Sequence, residues 1–195
     1  MTSREQKKIL SVTGNHKDGF RDHLLISIAL GTALRESEIL ALDCGDIFTS
    51  NGNTRHRVQL RVFKRAGAGH DSPEHQRVFI PEALKYKLDK YRRWKKDKGE
   101  SISDDAPLFM SKRSQRLSGR RVRSLFREWQ VEAGFGAPFF HFHHLRHTAL
   151  TNVYKATKDI RVVAQVARHA NINTTTIYVQ PSDEDMAGAV RGLEC

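Results

Sequence analysis

HFHHLRHTALTNVYKATKDIRVVAQVARHANINTTTIY, residues 141–178, is the stretch on which the reading of this chain turns. Two helices are expected in it, over 144–155 and 160–168. His141, His143, His144 and His147 crowd into seven positions around Arg146. On a helix, His143 and His147 would share a face, as zinc ligands often do. Zinc hydrolases add a carboxylate ligand or base, however, and no acidic residue lies in this run, so a metal site is the weaker reading. Beyond the second helix, Arg168 and His169 lead through a polar NTTT segment to Tyr178. A phenol has a reference pKa of about 10 and needs neighbouring cations or a base to act as a nucleophile.

Upstream, Val122, Leu125, Phe126 and Trp129 recur at helical spacing within 118–133. EALKYKLDKYRRWKKDKG, 82–99, reads as an amphipathic helix with a basic outer face and a stop at Gly99. The chain changes character over 47–81. TSNGNT holds an Asn-Gly turn signal, HRVQLRVF alternates at strand period, AGAGHDSPEH is a loop, and QRVFIP is a second short strand. Lys64 falls at the end of the longer strand. FRDHLLISIALGTAL, 20–34, is apolar enough for a buried helix, and ESEILALDCGDI places Ile39, Leu40 and Leu42 along a short one. Ser3 and Gln6 have capping-box spacing at the start of a polar helix over 3–11. A last helix is expected over 183–191. The fold class is therefore mainly α with a small antiparallel β-sheet of two or three strands, α+β, in one domain over 1–195.

The bulk composition agrees. With 38% hydrophobic and 28% charged residues, the 195-residue chain can bury a core of its own. It has no apolar run of the roughly 20 residues that cross a bilayer, so no membrane partner is expected. MTSREQKK lacks the apolar region of a signal peptide, and two cysteines, Cys44 and Cys195, are too few for a disulfide framework. A cytoplasmic location follows as the expectation. Thirty-three Lys and Arg against 22 Asp and Glu leave a net charge of +11, which predicts a polyanionic partner.

Four segments then fall into an order: TALRESEILAL around Arg35, VFK at Lys64, HFHHLRHT around Arg146, and ARHANINTTTIY ending at Tyr178. In that order the chain resembles the tyrosine recombinases of the phage integrase family. These carry an Arg in a T-G-L-R-x-x-E-L-like box, a Lys on a β-hairpin, an H-x-x-R box, and a G-H box followed nine residues later by Tyr. His143 and Arg146 match H-x-x-R, and His169 precedes Tyr178 by nine positions with Thr174-Thr175 between them. The resemblance implies the DNA breaking-rejoining catalytic fold and double-stranded DNA as partner, with no metal and no other cofactor. Tyr178 would attack a scissile phosphate to leave a 3′-phosphotyrosyl enzyme and a free 5′-hydroxyl. Arg35 and Arg146 would clamp the phosphoryl oxygens, where the planar guanidinium fork stabilises charge developing in the transition state. His143 would help activate Tyr178 or hold the phosphate, His169 would donate to a non-bridging oxygen, and Lys64 would protonate the departing 5′-oxygen. Glu38, three residues after Arg35, would support that arginine from the same helix face.

The resemblance also implies a homotetramer on DNA during strand exchange and a place on the nucleoid. Residues 183–195 would form a terminal helix, docked either on a neighbouring subunit or on its own. The N-terminal helical domain that clamps the far side of the DNA in full-length members is expected to be absent, because the matching segment begins about 20 residues into the chain. Three positions depart from the pattern. Ala33 stands where the first Arg box has Gly, Arg168 stands where Gly commonly precedes the second His, and AGAGHDSPEH is longer than a compact G-K-G turn. Two alternatives share the charge: a type IB topoisomerase, with a similar Tyr, Arg and Lys set, and a basic DNA-binding protein without catalysis. The H-x-x-R box and the T-T-x-x-Y tail favour the recombinase.

Overall fold

Leu24, Leu25, Ile26, Ile28 and Ala29 are all buried on one helix, α2 (Phe20–Thr32), so the core is built around it. A helix apolar on every side belongs inside, and the others arrange themselves about this one. The computed structural model describes residues 1–17, 19–60, 77–169, 171–178 and 191. Within them the order is α1 (Ser3–Asn15), α2, α3 (Glu36–Ala41), α4 (Cys44–Ile47), β1 (Arg57–Gln59), β2 (Arg77–Phe79), α5 (Glu82–Asp97), α6 (Gly119–Glu132), α7 (His143–Thr157), α8 (Ile160–Ala167) and a 3₁₀ helix (Ile172–Tyr178). The chain divides into two compact units, residues 1–149 and 150–195, with the boundary inside α7.

In the first unit, α1 and α5 both pack on α2, and α6 packs on α1 and α3. The capping box of α1 lies one residue before the expected pair. Thr2 Oγ1 accepts the Glu5 backbone N–H at 3.2 Å and Glu5 Oε2 accepts that of Thr2 at 2.6 Å. Ser3 is already helical there, because the Gln6 N–H bonds to the Thr2 carbonyl. Strands β1 and β2 pair antiparallel with Val58 opposite Val78, both turned inward, while Arg57 lies over the exposed ring of Phe79 at 4.8 Å. Helix α5 turns Leu84, Leu88 and Tyr91 inward, and Lys95 follows them at helical spacing. Lys95 is thus buried, its ammonium donating to Glu100 at 2.8 Å and to the Pro107 carbonyl at 3.2 Å. The basic face expected of this helix is formed by Lys90, Arg93 and Lys96.

Helix α6 turns Val122, Leu125, Phe126 and Trp129 inward, as its spacing predicts. The indole N–H of Trp129 donates to the buried Asp22 at 2.9 Å, and Arg21 Nε donates to the same carboxylate at 2.8 Å. Gln130, fully buried, accepts the Phe140 N–H at 2.7 Å and returns its amide to the Phe140 carbonyl at 3.0 Å. That exchange fixes the loop that delivers the chain to α7.

His23 faces α1, its Nδ1 lying 3.1 Å from the Leu10 carbonyl and 3.2 Å from Thr13 Oγ1. Burial, then the nearby Lys87 ammonium, lower its pKa to about 4, against the raising effect of the Leu10 bond. The folded chain therefore keeps His23 neutral where the unfolded chain, titrating near 6.5, takes up a proton. Stability is expected to hold above pH 6.5 and to fall as the pH drops towards 4. After allowance for partial exposure, the His23 contribution is about 1–2 kcal/mol. Urea midpoints measured across that window should show the fall, and His23→Gln should remove this part of it. An unchanged slope in the variant would sink the assignment.

Candidate active site

Arg35 sits at the corner between α2 and α3. The corner forms because Ala33 closes α2 in the left-handed conformation, φ 53° and ψ 24°, and Arg35 then extends as the N-cap of α3. One carboxylate holds both ends of Arg35. Glu38 Oε2 accepts its backbone N–H at 2.7 Å and Oε1 accepts its guanidinium Nη1 at 2.7 Å. Glu38 thereby caps the helix and orients the arginine in one contact.

Arg146, on the second turn of α7, is 2% exposed, and its Nη1 donates to the Ala33 carbonyl in the same corner. His143 opens α7 three residues earlier. Its pKa is lowered by burial first, then by the charges of Arg146 and Arg35. Its position in the first turn of α7 also disfavours an imidazolium. The His147 ring meets it edge-to-face, with centroids 4.7 Å apart. His144 accepts the His141 backbone N–H through Nδ1 at 2.9 Å, and its ring centroid lies 6.1 Å from that of His147. Arg35, Glu38, His143 and Arg146 are thus brought together in the first unit by two elements, the α2–α3 corner and the start of α7.

The second unit presents His169 and Tyr178. Asp159 caps α8 by accepting the Arg161 N–H at 2.7 Å. The helix closes in a Schellman arrangement, in which the Arg168 N–H reaches the Gln165 carbonyl and the His169 N–H reaches that of Ala164, both at 3.1 Å. His169 Nδ1 then lies 3.0 Å from Thr175 Oγ1, a member of the Thr pair, which fixes the ring. Tyr178 ends the 3₁₀ helix with its ring nearly parallel to that of His169, at 6.4 Å between centroids. Thr174 and Thr176 bond back to the carbonyls of Asn171 and Asn173, so hydroxyls stabilise a tight turn of unusual length. Lys64, the loop AGAGHDSPEH and the expected helix over 183–191, apart from Arg191, lie outside the described residues. Among the described residues, no group of three or more His, Cys, Asp or Glu side chains is arranged to hold a metal.

Both departures from glycine fall on left-handed residues, Ala33 at φ 53° and Arg168 at φ 55°. A side chain there costs roughly 1–2 kcal/mol, against about 0.5–1 kcal/mol for the extra freedom of an unfolded glycine. Ala33 is buried, and losing its methyl costs about 0.8 kcal/mol more, so Ala33→Gly should be close to neutral. Arg168→Gly gives up the bond from Nη1 to the Val166 carbonyl at 3.2 Å, which offsets part of the relief, so the thermal midpoint should rise by no more than about 2 °C. A calorimetric midpoint that falls in Arg168→Gly would refute this balance.

The phage integrase family model matches residues 1–185, and the chain belongs to that family. It is 30% identical over 192 residues to tyrosine recombinase XerC of Caldanaerobacter subterraneus subsp. tengcongensis, a match covering 97% of this chain and 49% of that protein. It is 28% identical over 180 residues to tyrosine recombinase XerC of Salmonella typhi, covering 92% and 55%. The chain thus spans about half the length of the curated relatives it matches. Among solved structures, XerA recombinase aligns with a TM-score of 0.75 and 21% identity, over all of this chain and 65% of that one. The Tn1549 transposon integrase in complex with a circular intermediate DNA aligns at 0.77 and 17%, again over all of this chain and 65% of that one. The fold is that of the tyrosine recombinase catalytic domain, mainly helical with a small antiparallel sheet, as the sequence predicts.

Proposed function

We propose that this chain is the catalytic part of a site-specific DNA recombinase that cleaves and rejoins strands through a 3′-phosphotyrosine. The observation that carries the reading is the corner at Ala33–Arg35, where α7 delivers the buried Arg146 beside an arginine already oriented by Glu38. Two guanidinium groups held on rigid elements suit the added charge of a phosphoryl transition state, because they need no reorganisation as it develops. His143, biased towards its neutral form, is suited to accept a proton.

In the proposed reaction Tyr178 gives up its proton, with His143 assisting, and its oxygen attacks the phosphorus. The bond to the 5′-oxygen breaks, and Lys64 protonates that oxygen. Arg35, Arg146 and His169 bear on the non-bridging oxygens, and Thr175 orients the His169 ring. Attack by a partner strand's 5′-hydroxyl reverses the step and releases Tyr178. The phosphodiester energy is conserved in the covalent link, so neither ATP nor a metal is required. Exchange between two duplexes calls for a homotetramer on DNA, and DNA as substrate places the protein at the nucleoid in the cytoplasm. The XerC relatives support exchange over plasmid relaxation by a topoisomerase.

The test uses a pool of nicked duplexes with a randomised central segment, incubated with the full chain in EDTA. Complexes that survive detergent are recovered and their DNA is sequenced. Recovery of a common site in covalent linkage is the expected result. Binding without any detergent-resistant complex would leave a DNA-binding protein, and rapid relaxation of supercoiled plasmid without strand exchange would favour the topoisomerase.

A further inference from the structure

Helix α3 has six residues, too few to hold its own shape, yet it begins at Arg35. Its two ends are tied to one neighbouring stretch, residues 116–123. At the C-terminal end, Arg116 Nη1 donates to the carbonyls of Leu40 at 2.9 Å and Leu42 at 3.0 Å, while Nη2 pairs with the buried Asp43. At the N-terminal end, Arg123 Nη1 donates to Glu36 Oε1 at 2.5 Å, and Glu36 is the residue that follows Arg35. The Glu36 carboxylate also lies against the first turn of α6. A Cβ on Gly119 would collide with Glu36 Oε1, so a larger residue there would push the carboxylate aside. Burial raises the pKa of Glu36 while Arg123 opposes the rise, as expected for a carboxylate drawn out of water onto a cation. The orphan carbonyls at the end of α3 and the acid at its start each have an arginine from 116–123.

We propose that Arg116 and Arg123 are positioning residues, a two-point clamp that holds α3 and thereby sets Arg35 in place. Neither acts as a phosphate contact. The inference rests on the proposed function for the role of Arg35, while the clamp itself is a property of the fold. Both side chains are partly exposed, at 38% and 59%, and on charge alone they would be counted among the DNA-binding residues. The two roles separate cleanly. A phosphate-binding residue contributes to affinity and to its salt dependence, and the slope changes by about one for each phosphate no longer neutralised. A positioning residue leaves both in place and slows the chemical step, because displacing a catalytic group by about 1 Å can lower a rate on the order of 100-fold.

The experiment compares wild type with Arg116→Lys, Arg123→Met and Glu36→Gln on the nicked duplex recovered from the randomised pool. It measures the first-order rate of adduct formation at saturating DNA, and the dissociation constant between about 50 and 200 mM salt, a range in which phosphate contacts register strongly. The expected result is a rate about 10–100-fold lower in each variant with affinity and salt slope unchanged. Arg123→Met and Glu36→Gln should not be additive, because they break one pair. Unchanged rates with a shallower salt slope would overturn the clamp and make these residues phosphate contacts. Hydrogen exchange of the α3 amides supplies a readout independent of activity, and protection should fall in each variant while the core of α2 stays protected. If wild type forms no adduct, the proposed function fails and the exchange data alone judge the clamp. Protection equal to wild type in all three variants would then overturn it.

Discussion

Tyr178→Phe is expected to abolish the covalent protein–DNA complex while leaving DNA binding intact. The substitution removes one oxygen from a ring that stacks near His169 and ends the 3₁₀ helix. No other side chain is assigned the attack, and loss of a nucleophile commonly lowers a rate by about 10⁴-fold or more. The substitution removes no cationic side chain, so the number of phosphates neutralised does not change. Affinity should remain within about twofold, with the same salt slope. Wild type and variant are compared on the same nicked duplex, in EDTA, with adduct scored on a denaturing gel and binding scored by native gel shift. A variant that still forms adduct would move the nucleophile elsewhere in the chain. A variant that loses binding in parallel would make Tyr178 a packing residue.

The parts of the fold that the sequence discloses are those whose physics is local. The apolar run of α2, the 3.6-residue spacing of Val122, Leu125, Phe126 and Trp129, and the alternation around Val58 and Val78 each determine an element and its inward face. The Arg35–Glu38 pair is legible for the same reason, because three residues on a short helix bring the two side chains together. Contacts across the chain are not legible in this way. Nothing near Arg116 in the sequence indicates that its partners are the carbonyls of Leu40 and Leu42, and Arg123 reads as one of several cations on α6. Lys95 reads as part of a basic surface until helix phase and the Pro107 carbonyl bury it. The replaced glycines are instructive in a different way. Ala33 and Arg168 hide the left-handed turns that glycine would have announced, and the backbone adopts those turns because the packing around them requires it.

Arg146→Lys keeps the charge and is nevertheless expected to lower the cleavage rate about 10³-fold, a loss in the range seen when a transition-state arginine is removed. The reason is shape. Arg146 is buried, and one arm of its fork is committed to the Ala33 carbonyl in the corner that carries Arg35. A guanidinium can hold that carbonyl and still direct other N–H groups of its rigid plane towards a phosphoryl oxygen. A lysine ammonium is a single point charge on a flexible stem, without the fork. If it bonds to Ala33 it is withdrawn from the phosphate, and if it turns to the phosphate it leaves a buried carbonyl without its donor, at about 1–3 kcal/mol. Arg146→Lys should therefore be nearly as slow as Arg146→Met and should unfold at a lower urea midpoint than wild type. Single-turnover cleavage on saturating nicked duplex measures the first effect, and urea titration without DNA measures the second. A lysine variant that retains more than about a tenth of the wild-type rate would mean that charge alone suffices at this position, because a loss below tenfold corresponds to less than about 1.4 kcal/mol of transition-state stabilisation. The geometry of the Ala33 corner would then be a feature of the fold and not of the chemistry.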